Sequence, residues 1–591
     1  MPINPFQQEL AQWLMGLGSW GNELWFALGS IATGTLALLA FLPLLRLPPS
    51  ESKTLQTLLS DRVFVTLLML MLIVLRLPNF IELEQNPDES SLLLSARTLL
   101  HSPFFWMSAE MQAIGPISTF AVALPGLFGF PVDYTSLKFV TVAIWCVTFG
   151  LMFAGLRRLY GGSLARILIL PLAVVPATAT YWDYLAYNGE HMAFLLLALA
   201  FYVQVRLFGD TENSGRLPAF LLGVILAMVP FAKIQAAPIA LVWGVFACWS
   251  ALKEHPNRLT HHLLGVTAFA AFMTVYLLVG GALYDFWQSY VLNNLLYASV
   301  GWNATQQDVT FLENLLRAPQ YFFTPPDSRG LLLLGLVAVL ASIPAAIWNE
   351  KFRRAIRARE LILGGLLCVA AIFAIVLPKN NWTHYLVLFF IPLAMVIGTL
   401  VKTAMDAAST TKFKLELPVL GRISHGLVIG TAVVLAAVAS AEYNLLQRNM
   451  SVHKPERSYA EGQEIPPVTD AVLRHAGPHA AVAIWGVRFA DICRAGVRLG
   501  TREAQNERAL YASRQRQYYE DRWIGDVLAR KPELVVDTAT GGPDGEFDQF
   551  RLANFPGVME KLLERYELVE DVDGFHFYAP RSTGQGEQLE S

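Results

Sequence analysis

The sequence predicts a mostly α-helical, polytopic membrane bundle of about 12 spans. Helices lying along the interface belong in its first outer loop, and a small α/β domain closes the C-terminus. Three observations predict this. The 591 residues are 54% hydrophobic and only 15% charged, with a mean hydropathy of +0.43, outside the soluble range. Apolar runs of membrane-crossing length recur up to residue 442. Beyond it the chain turns polar and charged.

A helix needs about 20 apolar residues to cross a bilayer. The candidate spans are 22–45, 62–78, 135–156, 164–181, 190–208, 217–231, 235–251, 263–283, 330–348, 361–378, 385–402 and 424–442. Alternate connections then fall on two sides. One set carries Arg46, Lys53 and Arg62; Arg157, Arg158 and Arg166; Arg206 and Arg216; Lys253 and Arg258. It continues with Lys351, Arg353, Arg354, Arg357, Arg359, Lys402, Lys412, Lys414 and Arg422. The other set, ahead of the tail, has only Arg97, Lys233, Arg317, Arg329 and Lys379. Short cytoplasmic loops are the basic ones, so Asp88 and the tail fall outside, on a cell (inner) membrane protein.

The first outer connection, 79–134, holds apolar pieces at 90–100 and 116–128 that read as interfacial helices. The second, 284–329, is rich in Tyr, Trp, Phe and Asn, as suits the headgroup level. The tail alternates strand-like runs (Val482–Trp485, Leu534–Asp537, Phe575–Tyr578) with helical ones (Tyr518–Ala529, Gly557–Arg565). That is the pattern of a small α/β domain, dividing the chain into a membrane catalytic domain, 1–442, and an extracytoplasmic domain, 443–591. The 4 cysteines are scattered and offer neither a disulfide framework nor a CxxC site. No basic cluster with interleaved aromatics points to nucleic acid. The opening Met-Pro-Ile-Asn-Pro-Phe lacks the basic region of a signal peptide.

Asp88 and Glu89 stand side by side after a membrane-length apolar run. Acids at the mouth of a helical bundle are costly near lipid and line polar cavities. Asp88 could take the proton from an acceptor hydroxyl or amine as a general base. Glu89 could orient the acceptor or help hold a divalent cation. The plainer reading is a helix start, where acids meet the positive end of the dipole; position alone leaves the two even. Asp183, Glu190 and His191, in the next outward connection, could ligate a divalent cation, Mg or Mn. Without a ligand spacing such as HExxH, a cap and hydrogen-bond cluster is the commoner arrangement. Lys233 is the lone charge between two apolar runs, and Lys379 precedes His384 and Tyr385. Such cations can neutralise a lipid phosphate, the alternative being a snorkelling lysine. The tail shows no phosphate loop or nucleophile set. Its Arg514, Arg516, Glu520 and Asp521 read as solvated helix faces, which suits a lid or acceptor site better than catalysis.

These pieces resemble the GT-C superfamily of membrane glycosyltransferases, in the branch of the protein mannosyltransferases and the lipid A aminoarabinose transferase. Carrying the resemblance are Asp88-Glu89, Gly115-Pro116 opening an apolar helix, Tyr187-Asn188-Gly-Glu190-His191, the Lys233 turn and Thr383-His384-Tyr385. The tail adds Trp485-Gly486 and a run ending at Asp537. The resemblance implies an inverting transfer from a polyprenyl-phosphate-linked sugar to a glycan, lipid or protein acceptor. Asp88 would be the base, and Lys233, with Lys379, His384 and Tyr385, would receive the donor phosphate. One departure stands at Met111-Gln112-Ala113-Ile114, where some relatives carry a basic residue. The rival reading is a transporter or lipid flippase using the same outer charges. That needs deep ionisable residues and matching halves, and few deep charges occur.

Overall fold

The computed structural model describes residues 5–17, 20–45, 60–81, 83–179, 181–209, 215–300, 309–323, 350–409, 441, 443–445, 464–511, 514–541 and 545–581, with isolated residues between 329 and 340. Among these, 8 helices are long and apolar enough to cross a membrane: Glu23–Phe41, Asp61–Ile81, Tyr134–Tyr160, Glu190–Phe208, Ile234–Lys253, Pro256–Val279, Ala358–Val376 and Thr383–Ala407. Shorter apolar helices are Pro116–Leu127, Gly162–Thr178 and Arg216–Ala232. Helices satisfy their own backbone polar groups, as a chain in lipid must, and the protein is a multi-pass membrane protein. The spans expected at 330–348 and 424–442 lie, apart from isolated positions, outside the described residues.

Local sequence starts and stops these helices. Ser60 caps the Asp61–Arg76 helix through Val63 N at 3.3 Å, with Asp61 in the first turn and Arg76 in the last. Asp133 and Ser136 form a capping box for Tyr134–Tyr160, which ends on Arg157, Arg158 and then Gly161 at φ 89°. Both arrangements suit the helix dipole and the unpaired terminal groups. Asp61 meets Arg157 and Arg166, each at 2.7 Å, which gathers several of the basic residues at one end. Arg76, buried at the other end, donates to the carbonyls of Pro176, Tyr184 and Leu185 at 3.0, 3.1 and 2.6 Å. It thereby fastens the connection before residue 190 to the start of the one holding Asp88.

Small residues bring two helices into backbone contact, the usual device where lipid removes the hydrophobic drive between helices. A Cβ at Gly223 would collide with the His262 carbonyl, and one at Gly265 with the Phe220 carbonyl. Gly223→Val is expected to destabilise the bundle by about 1–3 kcal/mol through overpacking. A lowered thermal midpoint in detergent would show it; an unchanged midpoint would mean the two helices can part without cost.

The tail folds around a five-stranded sheet of order β2-β1-β3-β5-β4: β1 Ala481–Trp485, β2 Arg498–Leu499, β3 Leu534–Asp537, β4 Tyr566–Val572 and β5 Phe575–Pro580. β2, β1 and β3 are parallel, and β5 and β4 add antiparallel. Strands were expected at β1, β3 and β5; β4 and the two-residue β2 were not. Asp573 and Gly574, at φ 53° and 80°, turn the β4–β5 hairpin, and two left-handed residues match the strand twist.

The sheet rests on the Asp88 end of the bundle. Leu92 and Leu99 of the Pro87–His101 helix share a buried cluster with Val482, Ile484 and Val497. Arg97 Nη1 donates to Cys493 O at 2.8 Å, and Leu499 N to Thr98 Oγ1 at 2.9 Å. Arg522 pairs with Glu110 at 2.6 Å and Arg502 with Asp285 at 2.6 Å. Of the four residues read as solvated helix faces, Asp521 and Arg514, just ahead of the Arg516–Arg530 helix, are exposed, whereas Arg516 and Glu520 are half-buried and pair at 2.6 Å; the helix buries Tyr519, Arg522 and Trp523 on its other face.

Candidate active site

Asn86 is extended and accepts from Glu89 N at 3.3 Å, and Pro87 takes the first helical position. Proline suits that position because its missing N–H would have no partner there. Asp88 and Glu89 therefore lie in a first turn, as the plainer reading expects, yet their side chains divide the work. Glu89 is fully buried. It receives Lys138 Nζ at 2.8 and 2.9 Å, Tyr187 N at 3.0 Å and Gln85 N at 2.7 Å. Its oxygens are thus held by protein donors from three separate segments. Asn86 Nδ2 adds a bond to Asn188 Oδ1 at 3.0 Å. Asp88 stays half-exposed, and Gln505 Nε2 of the tail donates to its Oδ1 at 3.2 Å.

Beside it three turns meet. Thr383 Oγ1 donates to Asp183 Oδ2 at 3.1 Å. His384 Nδ1 lies 3.1 Å from Asp183 Oδ1, and its Nε2 lies 3.7 Å from Glu190 Oε2. Glu190 Oε1 in turn pairs with Lys233 Nζ at 3.0 Å. His191 faces elsewhere: its Nδ1 lies 3.0 Å from Asn188 N, and its ring stacks on Tyr187 and meets the edge of Trp145. The expected Asp183, Glu190 and His191 trio is thus not assembled; His384 stands where His191 was expected. Among the described residues no three His, Cys, Asp or Glu converge to hold a metal ion. Asp183 Oδ2 accepts from Thr383, whereas Asp183 Oδ1 and both Glu190 oxygens, near His384 and Lys233, accept no hydrogen bond among the described residues.

Lys233 reaches this place because the Arg216–Ala232 helix ends there and the chain extends, with φ −149° and ψ 117°. Ile114 bridges Lys233, and Gly115 N donates to Ala232 O at 3.0 Å. A Cβ at Gly115 would strike the Phe231 carbonyl, so only glycine admits this approach. The Gly115-Pro116 motif therefore seats the lysine turn. Burial alone would push the Lys233 ammonium down; the Glu190 and Asp88 charges outweigh it and hold the pKa above its ordinary value.

Tyr297 completes the wall, bonded to Asn380 and Tyr385, with the Arg508 guanidinium 4.8 Å from its ring centre. Tyr385 is buried, and Lys379 is half-buried in the same turn at φ 63°. Glu507 accepts from Gln112 Nε2 at 2.7 Å; burial raises its pKa, and the nearby Asp88 charge adds to this. Sequence reasoning missed Tyr297, Gln505, Glu507 and Arg508, which sit in no motif.

Behind the Pro87–His101 helix, Glu84 accepts from Ser90, which also shares a hydrogen bond with Tyr134 at 2.5 Å. Burial pushes Glu84 from its ordinary 4.5 up to about 7. A raised carboxyl favours the folded state in its protonated form. The stability it adds is complete below 4.5 and is lost as pH rises through about 7, by proton linkage. Glu84→Gln is expected to flatten the fall in thermal midpoint across that window. An unaltered slope would assign the pH dependence to another group.

No protein-family model and no curated protein matches the sequence. Among solved structures the chain is similar to ArnT from Cupriavidus metallidurans bound to undecaprenyl phosphate, at 12% identity and a TM-score of 0.53, over 90% of this chain and 100% of that one. It is also similar to the same protein in the apo state, at 14% identity and 0.46, over 89% and 99%. The Archaeoglobus fulgidus oligosaccharyltransferase complex with Zn and sulfate matches at 12% and 0.42, over 87% and 73%. At such identities the likeness is one of fold. The chain has an ArnT-like fold over nearly its whole length, and the GT-C resemblance read from the sequence is borne out at that level.

Proposed function

We propose that the protein is an integral membrane glycosyltransferase that moves a sugar from a polyprenyl-phosphate-linked donor to an acceptor, with inversion, on the extracytoplasmic side. The observation that carries this reading is a half-exposed Asp88 close enough to the buried, Glu190-paired Lys233 for their charges to act on each other, in a fold similar to that of ArnT bound to undecaprenyl phosphate. Arg157 and Arg166 gather around Asp61 at the far end, which supports an outward-facing Asp88 and an outward tail docked upon it.

The acceptor oxygen or nitrogen attacks the anomeric carbon from the face opposite the phosphate, and the bond from that carbon to the phosphate oxygen breaks. Asp88 takes the acceptor's proton, its carboxylate turned by Gln505. The leaving phosphate keeps the electron pair, and Lys233 and Arg508 compensate its charge, the term that lowers such barriers most. Asp183, His384 and Glu190 hold Lys233 in place. One displacement gives inversion. The tail, 443–591, serves as a lid over the membrane catalytic domain, 1–442, and supplies Gln505 and Arg508.

Mass spectra of envelope glycolipids and glycoproteins from cells with and without the chain are expected to show one class losing a sugar; identical spectra would overturn the proposal. Lys233→Met is expected to weaken undecaprenyl phosphate binding by about 1.5–3 kcal/mol, as for a lost charged hydrogen bond. The double variant Lys233→Met/Glu190→Gln, which leaves no unpaired buried acid, should bind as poorly. Restored binding in the double variant would trace the loss to Glu190 instead.

A further inference from the structure

A recess opens between helix ends far from Asp88. Glu190–Gly209 contributes Gln204 and Phe208, Pro256–Val279 contributes Arg258 and His262, and Ala358–Val376 contributes Arg359, with His255 at the preceding turn. Gln204 lies 14 residues beyond Glu190 on one helix, about 21 Å at the helical rise, so this recess is distinct from the site around Asp88.

Its chemistry is one-sided. Arg258 is 6% exposed, and its Nη1 donates to Leu207 O at 3.0 Å, fixing the guanidinium against the wall. The Arg359 guanidinium lies 3.9 Å over the Phe208 ring. The two histidines line the same space, and among the described residues that line it there is no Asp or Glu. Gln204 is 3% exposed, and its Oε1 accepts from no donor among the described residues. A buried polar atom without a partner is costly and calls for one. Guanidinium groups match phosphate oxygens in shape and charge, and basic pockets between membrane helices take anionic headgroups. We propose that this recess binds a phosphate group bearing a neighbouring hydroxyl. The phosphate meets Arg258 and Arg359, and the hydroxyl donates to Gln204 Oε1. A glycerol-type phospholipid headgroup supplies both features; free phosphate supplies them through its own protonated oxygen.

The test uses the full chain in detergent, with three probes: dioleoylphosphatidylglycerol, dioleoylphosphatidylcholine and inorganic phosphate. Native mass spectrometry is expected to retain one phosphatidylglycerol per chain, and that lipid should raise the thermal midpoint as a ligand of the folded state does. Phosphatidylcholine should do neither. Arg359→Gln, which alters a half-buried side chain, should weaken phosphatidylglycerol about tenfold, the loss of one charged contact. Gln204→Leu should weaken it too, while Asp88→Asn leaves it intact. A midpoint rise with inorganic phosphate alone, abolished by Arg359→Gln, supports the site with the free ion as its occupant. Equal behaviour of the two lipids with no effect of phosphate, or full binding by Arg359→Gln, overturns the proposal.

Discussion

Asp88→Asn is expected to slow sugar transfer by about 10²–10⁴-fold, the usual worth of a general base, while leaving folding and donor binding nearly unchanged. The asparagine has the same shape and keeps an oxygen for Gln505 Nε2, now 3.2 Å from the Asp88 carboxylate. It fits the first helical turn and removes only the capacity to take a proton. Initial rates with purified protein and a polyprenyl-phosphate-linked sugar measure the loss, with thermal midpoint and undecaprenyl phosphate affinity measured alongside. Full turnover would remove Asp88 from the chemistry. A rate loss accompanied by an equal loss of donor affinity would recast it as a binding residue.

Lys138→Met is expected to cost about 3–5 kcal/mol of stability, the range for stripping one partner from a buried ion pair. Lys138 and Glu89 are 2% and 0% exposed at 2.8 Å, so no water can replace the ammonium. Glu89 also gathers Tyr187 N and Gln85 N, and losing its counter-charge should loosen both connections that frame Asp88. Lys138→Met/Glu89→Gln removes the stranded charge and should recover most of the stability. Thermal and denaturant midpoints read both. A harmless single variant would show that the pair is dispensable. The two predictions separate cleanly, since Asp88→Asn loses rate without stability and Lys138→Met loses both.

Apolar length is a strong signal, and it made the bundle legible along with the turns that carry Asp88 and Lys233. What sequence could not supply was who faces whom. Lys138 lies 49 residues from Glu89 inside a membrane-length run, and nothing local marks it as the partner. His191 stood beside Glu190 in the chain, but the helix turns it toward Trp145 and Tyr187, and His384 arrives from a distant turn instead. β4 escaped notice because Glu567, Glu570 and Asp571 interrupt its apolar alternation. Charged, exposed residues are common on an edge strand, where they discourage further pairing. The Asp573-Gly574 turn after it was the missed clue. Gln505, Glu507 and Arg508 have no motif or periodicity, and only docking of the sheet brings them to the pocket.

The Arg522–Glu110 pair spans 412 positions of chain, and that distance becomes a delay during translation. At roughly 5–20 residues per second the ribosome needs about 20–80 s to pass from one to the other. Throughout that interval Glu110 sits on a nascent polypeptide with its guanidinium still unmade. The membrane-embedded portion must survive insertion with this acid unneutralised, and the pocket matures only after residue 522 has been made. A polypeptide released early, before residue 500, would occupy the bilayer with its Asp88 end uncovered.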